Sequence, residues 1–386
     1  MRVGIIGSGI GGLCAAIGLQ RAGADVVVYE QAADLRPGGS GLSIFGNGLR
    51  ALDALGVGAE FRRLTSAKAG TLRAGQRRPD GSWLATFPQE AVAQLRVVDR
   101  TDLHRLLVSA LAEGTIHGGH RVVDPRPDGS VTSISPSGEQ RTARYDVVIA
   151  ADGLRSATRR TWPDDPGVRY AGYSAWRGIT DTPVDLHGEA GETWGVGHRF
   201  GVAPLADGRV YWFAVATMPA DQKFADEKAV LQERFGHWHD PIPILIEATS
   251  AERISRLPIE ELAGRLRTFY RGRLVLLGDA AHAMTPNLGQ GGGQAMEDAA
   301  TLTALLAPLA RQTTVPEREL EDALARYDAL RRPRTQRIAH RSRLIGQLAH
   351  VRGRPASRLR DLLIRLTPTS ALRRQLAWLQ AWPPPQ

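Results

Sequence analysis

The chain has 386 residues, 42% of them hydrophobic, with one cysteine and a formal charge of +9. That length can bury a large core in two domains or one large composite, while the lone Cys14, sitting in an apolar helix-like run, excludes an intrachain disulfide and reads as a buried thiol. Lys68, Lys223 and Lys228 are the only lysines among scattered arginines, and no recognised nucleic-acid module accompanies them, so the positive surface is read as attracting anionic cofactors or substrates.

A first strand is expected from residue 2, leaving no room for a signal peptide, and no run reaches the ~18 apolar residues of a membrane span. The expected location is cytoplasmic, with no membrane and no metal. The apolar run Val3-Gly4-Ile5-Ile6 leads into Gly7-Ser8-Gly9-Ile10-Gly11-Gly12 and then the helix-like Leu13 to Leu19. This is the context of a dinucleotide fingerprint: Gly7 for the turn, Gly9 for close approach of a pyrophosphate, Gly12 for helix-strand packing, and free N–H groups at Ile10 and beyond facing the anion. The next strand, Val26 to Tyr29, delivers Glu30, placed to accept from a ribose 2′-hydroxyl and favouring FAD or NAD over NADP.

Two segments of different character interrupt the nucleotide pieces. Residues 66–94 are strand-like with turns, and 167–264 alternate with many aromatics, an antiparallel pattern expected to form a lid. Between and after them, Tyr145 to Ala151 ends at Asp152-Gly153 and Arg273 to Leu277 ends at Gly278-Asp279. Residues beyond the carboxyl ends of distant strands can meet at one ligand, so a single long cofactor accounts for all three glycine clusters. Gly289 to Gly293 then open a second glycine-rich helix start, suited to an isoalloxazine ring. Asp152 and Asp279 also read as helix caps, and His282 as a turn residue without a nucleophile to activate.

The C-terminal part is helical by pattern. Leu359, Leu362, Leu363 and Leu366 share a stripe, expected to pack on the body or a second subunit, while Trp382-Pro383-Pro384-Pro385 reads as a loose tail.

At these residues the chain resembles the group A, single-component FAD-dependent aromatic hydroxylases, including para-hydroxybenzoate, salicylate and urate hydroxylases. The resemblance covers nearly the whole chain: the fingerprint, Gly39-Ser40-Gly41-Leu42, Asp99-Arg100-Thr101-Asp102-Leu103, Asp152-Gly153, Tyr173 to Gly178, and Gly278 to Gly293. It implies an α/β fold, with a Rossmann-type FAD-binding domain (1–65, 95–166, 265–345), an inserted antiparallel substrate domain (66–94, 167–264) and a helical segment at 346–386. It further implies Arg36 and Arg100 on the phosphate and ribityl region, Asp279 on the ribityl hydroxyls or pyrophosphate, and Asp152 and Gly153 supporting FAD and a transient nicotinamide cofactor. No second fingerprint follows a later strand, against enzymes that hold two dinucleotides.

By the same resemblance NADH or NADPH reduces a tightly bound, non-covalent FAD, dioxygen forms a C4a-hydroperoxide, and an aromatic, heteroaromatic or polycyclic ring is hydroxylated. Gly289, Gly291 and Gly292 would face the reduced flavin, and Pro286 would shape the loop there. Arg199, Arg177 and Tyr211 are the candidates to activate the substrate, in an enclosure that includes Trp176. Urate hydroxylases carry an acid after the loop proline, where this chain has Asn287, which weakens the case for urate. Epoxidation, antibiotic inactivation on the same fold, a related reductase or oxidase, and a flavin-binding protein without turnover remain alternatives. A monomer or homodimer is expected.

Overall fold

The computed structural model describes residues 1–35 and 40–384. A six-stranded sheet runs in the order Tyr270–Arg271, Leu274–Leu276, Val147–Ala150, Arg2–Ile6, Asp25–Glu30, Ile116–Gly118, parallel throughout except for the first pair. Its strands are short and almost wholly apolar because helices cover the sheet. The helix Ile10–Ala22 packs on it and is itself packed against the helix Gly291–Leu306. Close approach requires glycine: a Cβ at Gly11 would lie 2.6 Å from the Leu277 side chain and 3.2 Å from Ala295. Cys14 sits in this core, and burial pushes its thiol up to about 12.

A seven-stranded sheet has the order Ser255–Leu262, Val168–Ile179, Val210–Thr217, His198–Pro204, Glu189–Trp194, Arg73–Arg77, Trp83–Thr86. Glu189–Trp194 and Arg73–Arg77 pair in parallel; the other neighbours are antiparallel. Side chains alternate between its faces. Trp176, Phe200 and Trp212 pack on one face with Leu231, Phe235, Leu245 and Ile246 from the helices Glu227–Phe235 and Ile242–Glu247. Tyr211, Phe213 and Val215 point the other way, into the cleft described below. Trp176 is therefore core, not part of a substrate enclosure: it lies one residue out of phase with Ala175 and Arg177.

The 33-residue helix Glu317–Ala349 spans both halves. Tyr327 donates to Leu276 O at 3.1 Å in one sheet, and Arg343 reaches Glu261 at 2.7 Å in the other. The boundary expected at 346 falls inside this helix. The following helix, Arg354–Leu366, packs with the face opposite to its leucines. Arg360 is 2% exposed, donates to Gly195 O and Ala349 O and pairs with Asp361, whereas Leu359, Leu362, Leu363 and Leu366 are 51–68% exposed. The carbonyls at Gly195 and Ala349 require a donor that leucine cannot supply, so the polar stripe turns inward. The tail is not loose where described: Trp382 is buried, and Arg50 donates to its carbonyl at 3.3 Å.

Candidate active site

A cleft with about 1510 Å³ of empty volume, its open mouth included, is lined from both sheets. Gly7, at φ 100°, makes the turn that ends the first strand, and Gly9 precedes the helix Ile10–Ala22. Nothing stands within 4 Å of where a Cβ would be built at Gly9, Gly153 or Gly291, so all three present open backbone. Gly12 is the opposite case: a Cβ there would overlap the Gly7 carbonyl, so the helix sits against the turn. Ile10, Gly12, Gly289 and Gly292 line the same cleft. The first-turn N–H groups of two helices thus face one space, which suits an anionic or electron-rich ligand at each.

Arg100 and Asp279 line the cleft and are exposed, and their side chains have no hydrogen-bond or ion-pair partner among the described residues. Glu30 stands beside the Gly7 turn. Its Oε2 accepts from the Ser8 N–H at 2.9 Å and the Ser8 hydroxyl at 2.8 Å, and its Oε1 accepts from Ala32 N–H at 2.8 Å. Carboxylate oxygens retain further lone pairs for a ligand hydroxyl. Asp152 is turned aside: Oδ2 accepts from the Thr158 N–H and hydroxyl, both at 3.1 Å, beside a helix start whose N-cap is Ser156 rather than Asp152, and only Gly153 and Ala151 border the cleft. Arg36 and Gly39 lie outside the described residues.

The second helix start is held by a buried polar cluster. Gln290 Oε1 accepts from Asn47 at 2.9 Å and Gln294 at 3.1 Å. Glu297 and Asp298, both fully buried, receive Arg331 at 2.5 and 2.6 Å; Arg334 adds a bond to Glu297 at 2.7 Å. Asp298 also accepts from Gly278 N–H at 3.0 Å and contacts His282 Nε2 at 2.5 Å. Burial alone would raise both carboxyls, but the guanidinium and imidazole partners hold them below the usual carboxylate range. His282 is consumed in this support and has no catalytic position. The cluster ties the Gly278 turn and the Gly289–Gly293 loop to the long helix. Sequence reasoning missed Asn47, Gln290, Arg331 and Arg334 in this role, since acid and base lie on different helices.

On the opposite wall, Arg177, Arg199, Tyr211 and Glu192 come together, with Pro286 and Met284 from the facing loop. Arg199 is 2% exposed, donating to Asn287 Oδ1 at 2.6 Å and Glu192 Oε2 at 3.3 Å. The Arg177 guanidinium has no hydrogen-bond or ion-pair partner among the described residues, nor does the Tyr211 hydroxyl. Burial raises the Tyr211 phenol above its ordinary value, which keeps it a neutral donor. Gly41 lies directly against the Tyr211 ring, where a Cβ would collide. Glu192 carried no signal in the sequence; its place depends on strand register.

The family model described as FAD binding domain matches residues 1–342. The chain belongs to the FAD-dependent group A flavin monooxygenases. It is 36% identical over 372 residues to an aurachin C monooxygenase/isomerase of Stigmatella aurantiaca, covering 94% of this chain and 93% of that one. It is 33% identical to a 2-heptyl-3-hydroxy-4(1H)-quinolone synthase of Pseudomonas aeruginosa, covering 97% and 96%. Among solved structures, Klebsiella pneumoniae HpxO complexed with FAD and uric acid superposes with a TM-score of 0.86 at 28% identity, covering 99% and 97%. This flavin monooxygenase is thus an oxidoreductase that binds FAD, with NAD(P)H as the family's passing reductant, and acts on aromatic or heteroaromatic rings. The open glycine backbone and the unpaired Arg100 and Asp279 fit FAD. No described helix is long and apolar enough to cross a membrane.

Proposed function

We propose that the cleft divides into a cofactor half and a substrate half, corresponding to residues 1–65, 95–166 and 265–345 against 66–94 and 167–264. In the cofactor half, Gly9, Ile10, Gly12 and Arg100 meet the pyrophosphate, Glu30 the adenosine ribose, Asp279 the ribityl or pyrophosphate oxygens, and Gly289, Gly291 and Gly292 the electron-rich end of the ring system. Bound FAD, reduced by NADH or NADPH, supplies the activation of dioxygen. The protein's own contribution is to hold the substrate ring, meet charge that develops on it, and keep water out.

The observation that carries the reading is the unpartnered Arg177 and Tyr211 on a sheet face directly opposite two glycine-rich helix starts. Arg199 and Tyr211 would donate to a ring oxygen, and Pro286 bounds the loop above it. The test is NAD(P)H oxidation by the FAD-loaded protein against phenolic, N-heteroaromatic and polyketide compounds under isotopically labelled dioxygen. Stimulated oxidation with one labelled oxygen atom in the product is expected. Stimulation without label in any product, or no stimulation across the panel, overturns the hydroxylase reading.

A further inference from the structure

The cross-strand register of the seven-stranded sheet aligns four residues in one row on the cleft face. Arg177 pairs with Phe213, Phe213 with Gly201, and Gly201 with Glu192. Gly201 has no side chain, and a Cβ there would strike the Phe213 ring, so that ring lies over the glycine. The row is therefore a flat aromatic floor with a cation at one end and an anion at the other. Adjacent strands are ~4.8 Å apart, which places the Arg177 and Glu192 backbones about 14 Å apart before their side chains reach inward. The remaining gap has the scale of a one- or two-ring compound.

The charges at the two ends are not equivalent. Glu192 Oε2 is used by Arg199 and by the Trp194 indole N–H at 2.7 Å, whereas Oε1 has no partner among the described residues. The Glu192 side chain is 27% exposed and lines the cleft. Arg177 offers unsatisfied donors at the other end. A substrate bearing a carboxylate toward Glu192 would meet like charge. A ring with an N–H donor at one edge and a carbonyl or phenolate oxygen at the other satisfies both ends.

We propose that Glu192 is a specificity-determining substrate residue: its free oxygen accepts a ring N–H while Arg177 donates to an oxygen across the ring, selecting neutral N–H heteroaromatics over carboxylated arenes. This rests on the substrate-half reading above and names the substrate class of that site.

The probes are 4(1H)-quinolone, N-methyl-4-quinolone and salicylate, titrated into the FAD-loaded protein by flavin absorbance and then assayed for stimulated NAD(P)H oxidation. The wild type should bind the N–H compound more tightly than its N-methyl counterpart. Glu192→Gln should weaken the N–H compound on the order of 10- to 100-fold, the worth of a hydrogen bond to a charged group, while leaving the N-methyl compound unchanged and improving salicylate. Glu192→Asp, which keeps the charge beside Arg199, should retain the preference for N–H over N-methyl. An unaltered flavin spectrum verifies folding of each variant. Equal affinity of the two quinolones in the wild type, no binding of either, or equal losses for both in Glu192→Gln would overturn the proposal. If salicylate or another phenolic acid is still hydroxylated in those cases, the hydroxylase reading stands and only the role of Glu192 falls.

Discussion

Asn287 holds Arg199 in place: its Oδ1 accepts from the guanidinium at 2.6 Å, while its Nδ2 lies 2.9 Å from the Tyr173 hydroxyl, Thr285 Oγ1 and Ser342 O. A carboxylate at this position would present no donor to Ser342 O. The amide instead bridges a buried cation and a cluster of acceptors.

Asn287→Ala should therefore strand a guanidinium whose Nε is already without a partner. The expected cost is about 1–3 kcal/mol of stability, read from the urea midpoint at constant m-value. A midpoint unchanged from wild type would mean that Arg199 finds other acceptors.

Asp279 lines the cleft, while Glu30 is bonded to Ser8 in the Gly7 turn, next to the Gly9 edge of that cleft. Glu30→Ala and Asp279→Ala should each purify with depleted flavin and near-normal helix content. Full FAD occupancy in both, measured by absorbance after release, would remove them from the cofactor site.

Tyr211→Phe removes a hydroxyl without a partner among the described residues, on a side chain that lines the cleft. The variant should stay yellow and oxidise NAD(P)H, while diverting reducing equivalents from product into hydrogen peroxide. Loss of a hydrogen bond to a charged partner costs ~1.5–3 kcal/mol, roughly 10- to 150-fold if it acts in oxygen transfer. Peroxide and product titrated in the same reaction decide it; an unchanged ratio rules the hydroxyl out.

His350 stacks on Tyr173 at 4.1 Å, and burial, followed by the charge on Arg199, lowers its pKa to about 3. Its ordinary value is 6.5. Between those values the unfolded chain binds a proton that the folded one refuses, so stability falls as pH drops through 6.5 and keeps falling towards 3; above 6.5 this histidine contributes nothing to the slope. His350→Phe preserves a ring against Tyr173 and should flatten the acid limb of the stability curve by up to ~1.4 kcal/mol per pH unit. Identical slopes in wild type and variant between about pH 6 and pH 4 would contradict the assignment.

What was legible in sequence was local. The turn at Gly7, the open backbone at Gly9, the packing at Gly12 and the helix start at Gly291 follow from residue type and spacing, because a backbone that must turn sharply or admit a ligand tolerates only glycine. Period-two alternation likewise marked 167–264 as an antiparallel sheet. What only the tertiary structure decided were relationships between distant segments. Whether Trp176 or Arg177 faced the ligand depended on which side the helices Glu227–Phe235 and Ile242–Glu247 covered. Glu192 joined the site through register with Gly201 and Phe213. Asp298, Glu297 and Arg331 found each other across two helices. The leucines of Arg354–Leu366 turned outward because the carbonyls at Gly195 and Ala349 met Arg360 instead. A sequence pattern marks a face as apolar or polar. Which face is buried depends on the polar groups that the opposing surface leaves to be satisfied.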